Sequence, residues 1–105
     1  MFWIAVDDCD RVIGMVGTKA VSADDMWLKR LFIKPDYKRG GLGSALLAAA
    51  EGFAASRGIA VIHTRFSHNY EEAAAFYPAM GFVEAGESEG MRHFVKGLLF
   101  ERPLA

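Results

Sequence analysis

The chain has 105 residues, of which 52% are hydrophobic and 24% are charged, and this is enough for one domain with one modest core. Its formal net charge of -1 at pH 7 gives no bulk attraction for nucleic acid or for an anionic membrane surface. We therefore expect a single domain over residues 1–105 with no nucleic-acid or membrane partner.

Cysteine usage and hydropathy point to the cytoplasm. The only cysteine, Cys9, allows no internal disulfide, as is usual in a reducing compartment. No apolar run is long enough to cross a bilayer, and the N-terminus lacks the basic and apolar segments of a signal peptide. Because no group of His, Cys, Asp and Glu has metal-ligand spacing, we also expect no metal.

The first third of the chain predicts three strands. Apolar runs at Phe2–Val6 and Val12–Ala20 flank an aspartate-rich turn, which is typical of a hairpin. Met26–Ile33 is the next predicted strand, antiparallel to the second.

The middle of the chain predicts a helix and a buried strand. From Leu42 onwards apolar residues recur at helical spacing, and Gly58 ends the helix. Ile59–Phe66 is then predicted as a strand. A strand, a crossover helix and a second strand in this order imply a parallel pair.

The last third predicts a second helix and two strands. Asn69 is the expected N-cap of a helix that runs through Met80. Phe82 begins a strand, Gly86–Gly90 is a predicted turn, and Met91–Phe100 is the last strand. The order β-β-β-α-β-α-β-β predicts an α/β (α+β) fold: a mixed, largely antiparallel sheet with a central parallel β-α-β unit and helices on its faces.

The segment before the first helix carries the clearest chemical signal. It reads Lys38-Arg39-Gly40-Gly41-Leu42-Gly43-Ser44. A helix start has unpaired N–H groups and the positive end of a dipole, and glycines let a phosphate approach the backbone closely. The Walker pattern fails because no Lys precedes Ser44, and the dinucleotide fingerprint fails because Leu46 stands where its third Gly belongs. The sequence predicts a polyphosphate site of another kind.

Two further segments give this loop a family context. The strand before it reads Lys29-Arg30-Leu31-Phe32-Ile33, and Phe76-Tyr77-Pro78-Ala79-Met80-Gly81-Phe82 follows later in the chain. Together with the loop, they resemble the GCN5-related N-acetyltransferase (GNAT) superfamily from about Val12 to Phe82. Compared with that family, the chain resembles a short form that lacks most of the usual N-terminal strand and helix pair.

The resemblance implies acetyl-CoA as cosubstrate and acetyl transfer to a primary amine of a small molecule or protein, by direct attack in a ternary complex. It implies that the backbone of Phe32 and Ile33 pairs with the pantetheine arm, while Lys38–Ser44 wraps the pyrophosphate. Asn69 would hydrogen-bond the arm, and Tyr77 would be the general acid for the thiolate. We also expect a homodimer, in which a partner chain covers the open part of the fold.

The sequence departs from the family pattern at the general base. In the related subgroup an acidic residue often lies two positions before Lys29, and Trp27 stands there instead. Asp24, Asp25, His63 or a chain of water molecules remain as candidates. Two alternatives to an enzyme stay open: a non-catalytic acyl-CoA-binding or assembly module that has lost its base, and a phosphate-binding regulatory domain unrelated to CoA.

Overall fold

The computed structural model describes residues 1–98 and contains six strands and two longer helices in the predicted order. The strands are β1 (Phe2–Val6), β2 (Val12–Ala20), β3 (Asp25–Ile33), β4 (Val61–Ser67), β5 (Val83–Ser88) and β6 (Met91–Gly97), and the helices are α1 (Leu42–Ser56) and α2 (Glu71–Ala79).

The six strands form one mixed sheet in the order β1-β2-β3-β4-β6-β5. Among the strands of residues 1–98, only β3 and β4 pair in parallel, and α1 is the crossover between them. The β1–β2, β2–β3, β4–β6 and β5–β6 pairs are antiparallel. The predicted mixed sheet with its central parallel unit is confirmed.

Both helices cover the same face of the sheet. Met26 of β3 pairs with Ile62 of β4, and both belong to the buried cluster that includes Leu47 of α1 and Tyr77 of α2. Since side chains alternate along a strand, the pair that follows, Trp27 and His63, points to the opposite face. We call these the covered face and the open face.

A β-bulge lies in β3 where it leaves β4. Gly17 pairs with Lys29 and Met15 with Phe32, so β3 has two residues where β2 has one. Arg30, within this bulge, has a φ of 59°, in the left-handed region. The β3–β4 pairing ends at Trp27 and His63. Beyond this point β3 bends away, as a bulged strand does, and the sheet opens between the two strands.

Several predicted boundaries are wrong. The strand expected from Ile59 begins at Val61, because the N–H of Ile59 bonds to the carbonyl of Ala54 and closes the end of α1. The predicted end of α1 is confirmed by Gly58, whose φ is 72°. The N-cap of α2 is Tyr70, not Asn69.

The second hairpin is tighter than predicted. The predicted turn Gly86–Gly90 is wrong at its start because β5 continues to Ser88, and Glu89 and Gly90 alone make the turn. An irregular register between Glu84 and Gly86 accommodates the glycine within the strand. The predicted end of the last strand, Leu99 and Phe100, lies outside the described residues.

Candidate active site

A cationic loop links β3 to the start of α1. After a single turn of 3-10 helix at Pro35–Tyr37, the chain passes through Arg39 and Gly41, which have φ values of 69° and 81°. Both lie in the left-handed region, which glycine adopts without strain. This path brings two cations and a glycine to the N-terminus of α1.

Within the described part of the chain, the first backbone N–H groups of α1 have no hydrogen-bond partner. Its N-cap, Gly41, offers no side-chain hydrogen bond, and the first turn carries no acidic residue. The first turn of any helix leaves its N–H groups unpaired. In a 15-residue helix these donors and the dipole favour an anion beside Gly43 and Ser44.

A cavity of about 540 Å³ runs from this loop to α2. Its lining includes Lys38, Arg39, Gly43, Ile33 and Tyr77. A β-carbon at Gly43 would lie 3.4 Å from the ring of Phe76, so the cavity wall is close to the backbone here. The cavity therefore joins the cationic loop to a buried phenol.

An ion pair spans the cationic end of the cavity. Lys38 Nζ lies 2.7 Å from Glu72 Oε2 of α2, and this hydrogen bond raises the pKa of Lys38. The lysine is therefore charged throughout the neutral range. Because the Glu72 side chain is 65% exposed, an entering anion can displace it at small cost.

Tyr77 lies at the inner end of the cavity, on α2. It is 6% exposed and packs among the rings of Phe66, Phe76 and Phe82. Burial raises its pKa, and the neighbouring Thr64 hydroxyl opposes this in part. The phenol is therefore protonated at neutral pH, the state that a proton donor needs.

A second cavity, of about 200 Å³, meets the first at Tyr77. It lies where β3 and β4 have separated, and its lining includes Leu28 on the covered face and Arg65 of β4. Leu31, Tyr70, Ala73 and Tyr77 line both cavities. The phenol therefore stands between two spaces, one of which reaches towards the open face.

The predicted donor residues fall into two groups. The larger cavity is lined by Ile33, Lys38, Arg39, Gly41, Gly43, Ser44 and Tyr77. It is not lined by Phe32, Gly40, Leu42 or Asn69. Phe32 is exposed, and Asn69 is exposed in the turn before α2. Roles for these four residues stay predictions that rest on the resemblance.

The candidate bases are also separated by the structure. Asp25 Oδ1 lies 2.7 Å from His63 Nε2 on the open face. Asp24 is exposed, and its backbone carbonyl accepts bonds from Ala60 and Val61. Reasoning from the sequence missed His93, whose Nε2 lies 2.9 Å from His63 Nδ1. Only the register of β4 with β6 brings these rings together.

Comparison with known proteins gives the site a context. Residues 1–84 match the sequence profile described as "Acetyltransferase (GNAT) domain". Human N-acetyltransferase 8 is 30% identical over 92 residues, which cover 83% of this chain and 40% of that protein. The chain thus spans about two fifths of the length of this curated relative.

Solved structures show the same fold. PaiA N-acetyltransferase from Thermoplasma acidophilum, in complex with coenzyme A, is 24% identical with a TM-score of 0.88 over 93% of this chain and 60% of that chain. The ribosomal-protein-S18-alanine N-acetyltransferase of Escherichia coli is 21% identical with a TM-score of 0.81, over 97% and 71%. Within residues 1–98, neither helix has the length and apolarity needed to cross a membrane.

Proposed function

Because this chain belongs to the GNAT acetyltransferase family, we propose that it transfers an acetyl group from acetyl-CoA to a primary amine. The observation that carries the proposal is the meeting of two cavities at one buried phenol, Tyr77. The larger cavity takes the donor and the smaller one takes the acceptor. Holding both substrates together supplies much of the rate through proximity.

The donor's pyrophosphate is assigned to the start of α1. Lys38 and Arg39 supply charge there, and the unpaired N–H groups around Gly43 supply directed donors. The pantetheine arm is assigned to the edge of β3 near Ile33. Since that edge is unpaired with β4 beyond Trp27, it has free backbone groups for an added strand-like ligand.

Tyr77 is assigned the role of general acid. The amine nitrogen attacks the thioester carbon, the C–S bond breaks, and the sulfur takes the phenolic proton. A phenol whose pKa is raised by burial remains protonated until the thiolate forms. The acceptor is a primary amine on a small molecule or a protein. The Escherichia coli relative, which by its name acts on an alanine of ribosomal protein S18, supports the protein alternative.

A second candidate is a CoA-binding module without catalysis. Trp27 occupies the position on β3 where the resemblance predicts an acid, and this observation favours a protein that has lost its base. Such a module would use the same cationic loop and larger cavity. It would bind CoA as tightly as the enzyme does, without consuming acetyl-CoA.

The test combines binding with turnover. CoA at 100 times its dissociation constant should stabilise the fold by about 2.7 kcal/mol, measured by thermal unfolding. Free thiol should then appear when acetyl-CoA is mixed with a panel of small amines and N-terminal peptides. CoA stabilisation without thiol release on any amine identifies the binding module. Absence of stabilisation rejects both candidates.

Tyr77→Phe separates chemistry from binding. This variant keeps the buried ring and should lower kcat by about 10²- to 10⁴-fold, the range for a general acid, with the dissociation constant of CoA unchanged. Tyr37→Phe is the matched control within the same cavity, since Tyr37 lines its cationic end and its hydroxyl points away to Asp7 at 3.5 Å. An unchanged kcat in Tyr77→Phe would remove the phenol from the mechanism.

A further inference from the structure

Three polar side chains form a continuous hydrogen-bonded chain on the open face. Asp25 Oδ1 lies 2.7 Å from His63 Nε2, and His63 Nδ1 lies 2.9 Å from His93 Nε2. The residues come from β3, β4 and β6. Trp27 stacks on both imidazoles, with ring centroids 4.9 and 5.1 Å apart and interplanar angles of 18° and 17°. One indole therefore holds both rings in place.

The hydrogen bonds define one arrangement of protons when both imidazoles are neutral. The bond from His63 lowers the pKa of Asp25, so its carboxylate is ionised and only accepts. His63 Nε2–H therefore donates to Asp25, and the lone pair on His63 Nδ1 accepts the Nε2–H of His93. This leaves a lone pair on Nδ1 of His93, which makes no hydrogen bond with any group in residues 1–98.

The surroundings of Asp25, His63 and His93 leave this hydrogen-bonded chain able to accept one proton. Burial, together with His63 and Arg65, lowers the pKa of His93, so the imidazole is neutral at pH 7. The charged groups that face the pair are Asp25, Lys29 above Trp27, Arg65 of β4 and, in register with Trp27, Lys19 of β2. From β5, Gly86 opposes His93 and brings no charge. The Asp25 carboxylate therefore offsets the positive charge that an entering proton brings.

The hydrogen-bonded chain lies next to residues that line the smaller cavity, although none of its three members lines that cavity. His63 belongs to the last pair of β3 with β4, immediately before the strands separate. Thr64 and Arg65 follow it and line the cavity together with Tyr77. His93 is the register partner of Arg65. The imidazoles therefore lie on the open face, beside the strand positions that line this cavity.

We propose that His93, positioned by His63 and Asp25, takes the proton that an acceptor ammonium must lose before it attacks acetyl-CoA. The inference rests on the proposed acetyl transfer. It names a general base in place of the acidic residue that is absent where Trp27 stands. Nδ1 of His93 takes the first proton, and the neutral amine then forms the N–C bond as the C–S bond breaks. The sulfur takes the proton of Tyr77, the phenol regains one from the new amide nitrogen, and the imidazolium releases its proton to solvent. Ammonium and acetyl-CoA thus give amide, CoA thiol and one proton.

The test is the pH profile of kcat/KM from pH 6 to 10, with an amine that the wild-type protein acetylates. Wild type should rise with pH and level off once His93 is neutral. His93→Gln should be about 10²- to 10⁴-fold slower at pH 7. Its deficit should shrink about tenfold per pH unit as the amine loses its proton unaided. His63→Gln and Asp25→Asn should show the same shape with smaller losses.

His68→Gln is the matched control, because its ring lies in the loop before α2 and bonds to the Gly90 carbonyl. Its profile should overlay that of wild type. CoA affinity should stay unchanged in every variant, and the melting temperature of each variant checks that it is folded under the assay conditions. Nitrogen-15 NMR of the wild-type rings, which needs no variant to fold, should show Nε2–H tautomers for His63 and His93.

The outcomes separate this inference from the proposed function. If wild type acetylates an amine and the His93→Gln profile overlays it, the proton-acceptor role is wrong while the enzyme stands. An Nδ1–H tautomer at His63 would show directly that the proposed direction of these hydrogen bonds is wrong. If wild type binds CoA and acetylates no amine, the proposed enzyme and its base fall together.

Discussion

The two faces of the sheet differ in what they contribute. The covered face holds the buried cluster, in which Val16, Ile62 and Leu47 are almost inaccessible. The open face carries large apolar side chains that remain exposed, among them Ile4 and Val83, together with the Asp25–His63–His93 chain. The difference predicts that stability, donor binding and the proposed general acid depend on the covered face, while the proposed base and the approach of the acceptor depend on the open face.

Removing core volume tests this division most strongly. Leu47→Ala on α1 should cost about 2–5 kcal/mol of unfolding free energy, since it leaves a cavity in the packed cluster. Ile4→Ala is the matched control on the open face, where the side chain is 57% exposed. It should change stability by no more than about 0.5 kcal/mol, measured by urea unfolding.

The Ile4→Ala control also tests whether the protein forms a homodimer. A loss at Ile4 as large as that at Leu47 would mean that a further chain covers the open face, and the division would fail. Sedimentation of wild type and Ile4→Ala at several concentrations would then report the homodimer, which stays a prediction.

Arg39→Ala is expected to have the next largest effect, confined to donor binding. Loss of a charged hydrogen bond to phosphate is worth about 1.5–3 kcal/mol, so CoA affinity should fall about 10- to 100-fold, measured by calorimetry. Arg57→Ala, at the opposite end of α1, removes the same charge far from the cavity and should leave the affinity unchanged. Equal losses in both variants would indicate a general charge effect rather than a site at Arg39.

Breaking the ion pair across the cavity is expected to have the smallest effect. Glu72→Gln releases Lys38 and removes a negative charge from the donor site, so CoA should bind about two- to fivefold more tightly, as expected for an exposed pair worth about 0.2–1 kcal/mol. Glu71→Gln is the control, because it lies in the same first turn of α2. Weaker CoA binding in Glu72→Gln would mean that the pair holds Lys38 in its productive position.

The part of the site that is contiguous in the chain could be predicted from the sequence. The loop from Lys38 to Ser44 carries its cations, glycines and helix start within a few residues, so local rules were enough to predict it. Tyr77 was found through a short motif of the family. The order of elements along the chain followed from periodicity, and the parallel β3–β4 pair followed from the crossover through α1. The position of β6 between β4 and β5 was not predicted.

The rest depends on pairing between distant residues. His63 lies 30 residues from His93 and 38 from Asp25, and only the register of β4 with its two neighbours brings the three together. The contact of Lys38 with Glu72 is equally distant, at 34 residues. The N-cap of α2 at Tyr70 could not be predicted either, because Asn69 satisfies the general preference for an N-cap.

The bulge at Arg30 determines which residues of β3 face the covered side of the sheet. Before it, the even-numbered Met26 and Leu28 point to the covered face; after it, the odd-numbered Leu31 and Ile33 line the larger cavity. One extra residue in the bulge thus changes the residues that face this side of the sheet from even-numbered to odd-numbered. The proposed donor site therefore depends on the bulge as well as on the identity of its residues. Without the bulge, regular alternation over the same residues would turn Phe32 into the cavity and Ile33 out of it, with every side chain still present.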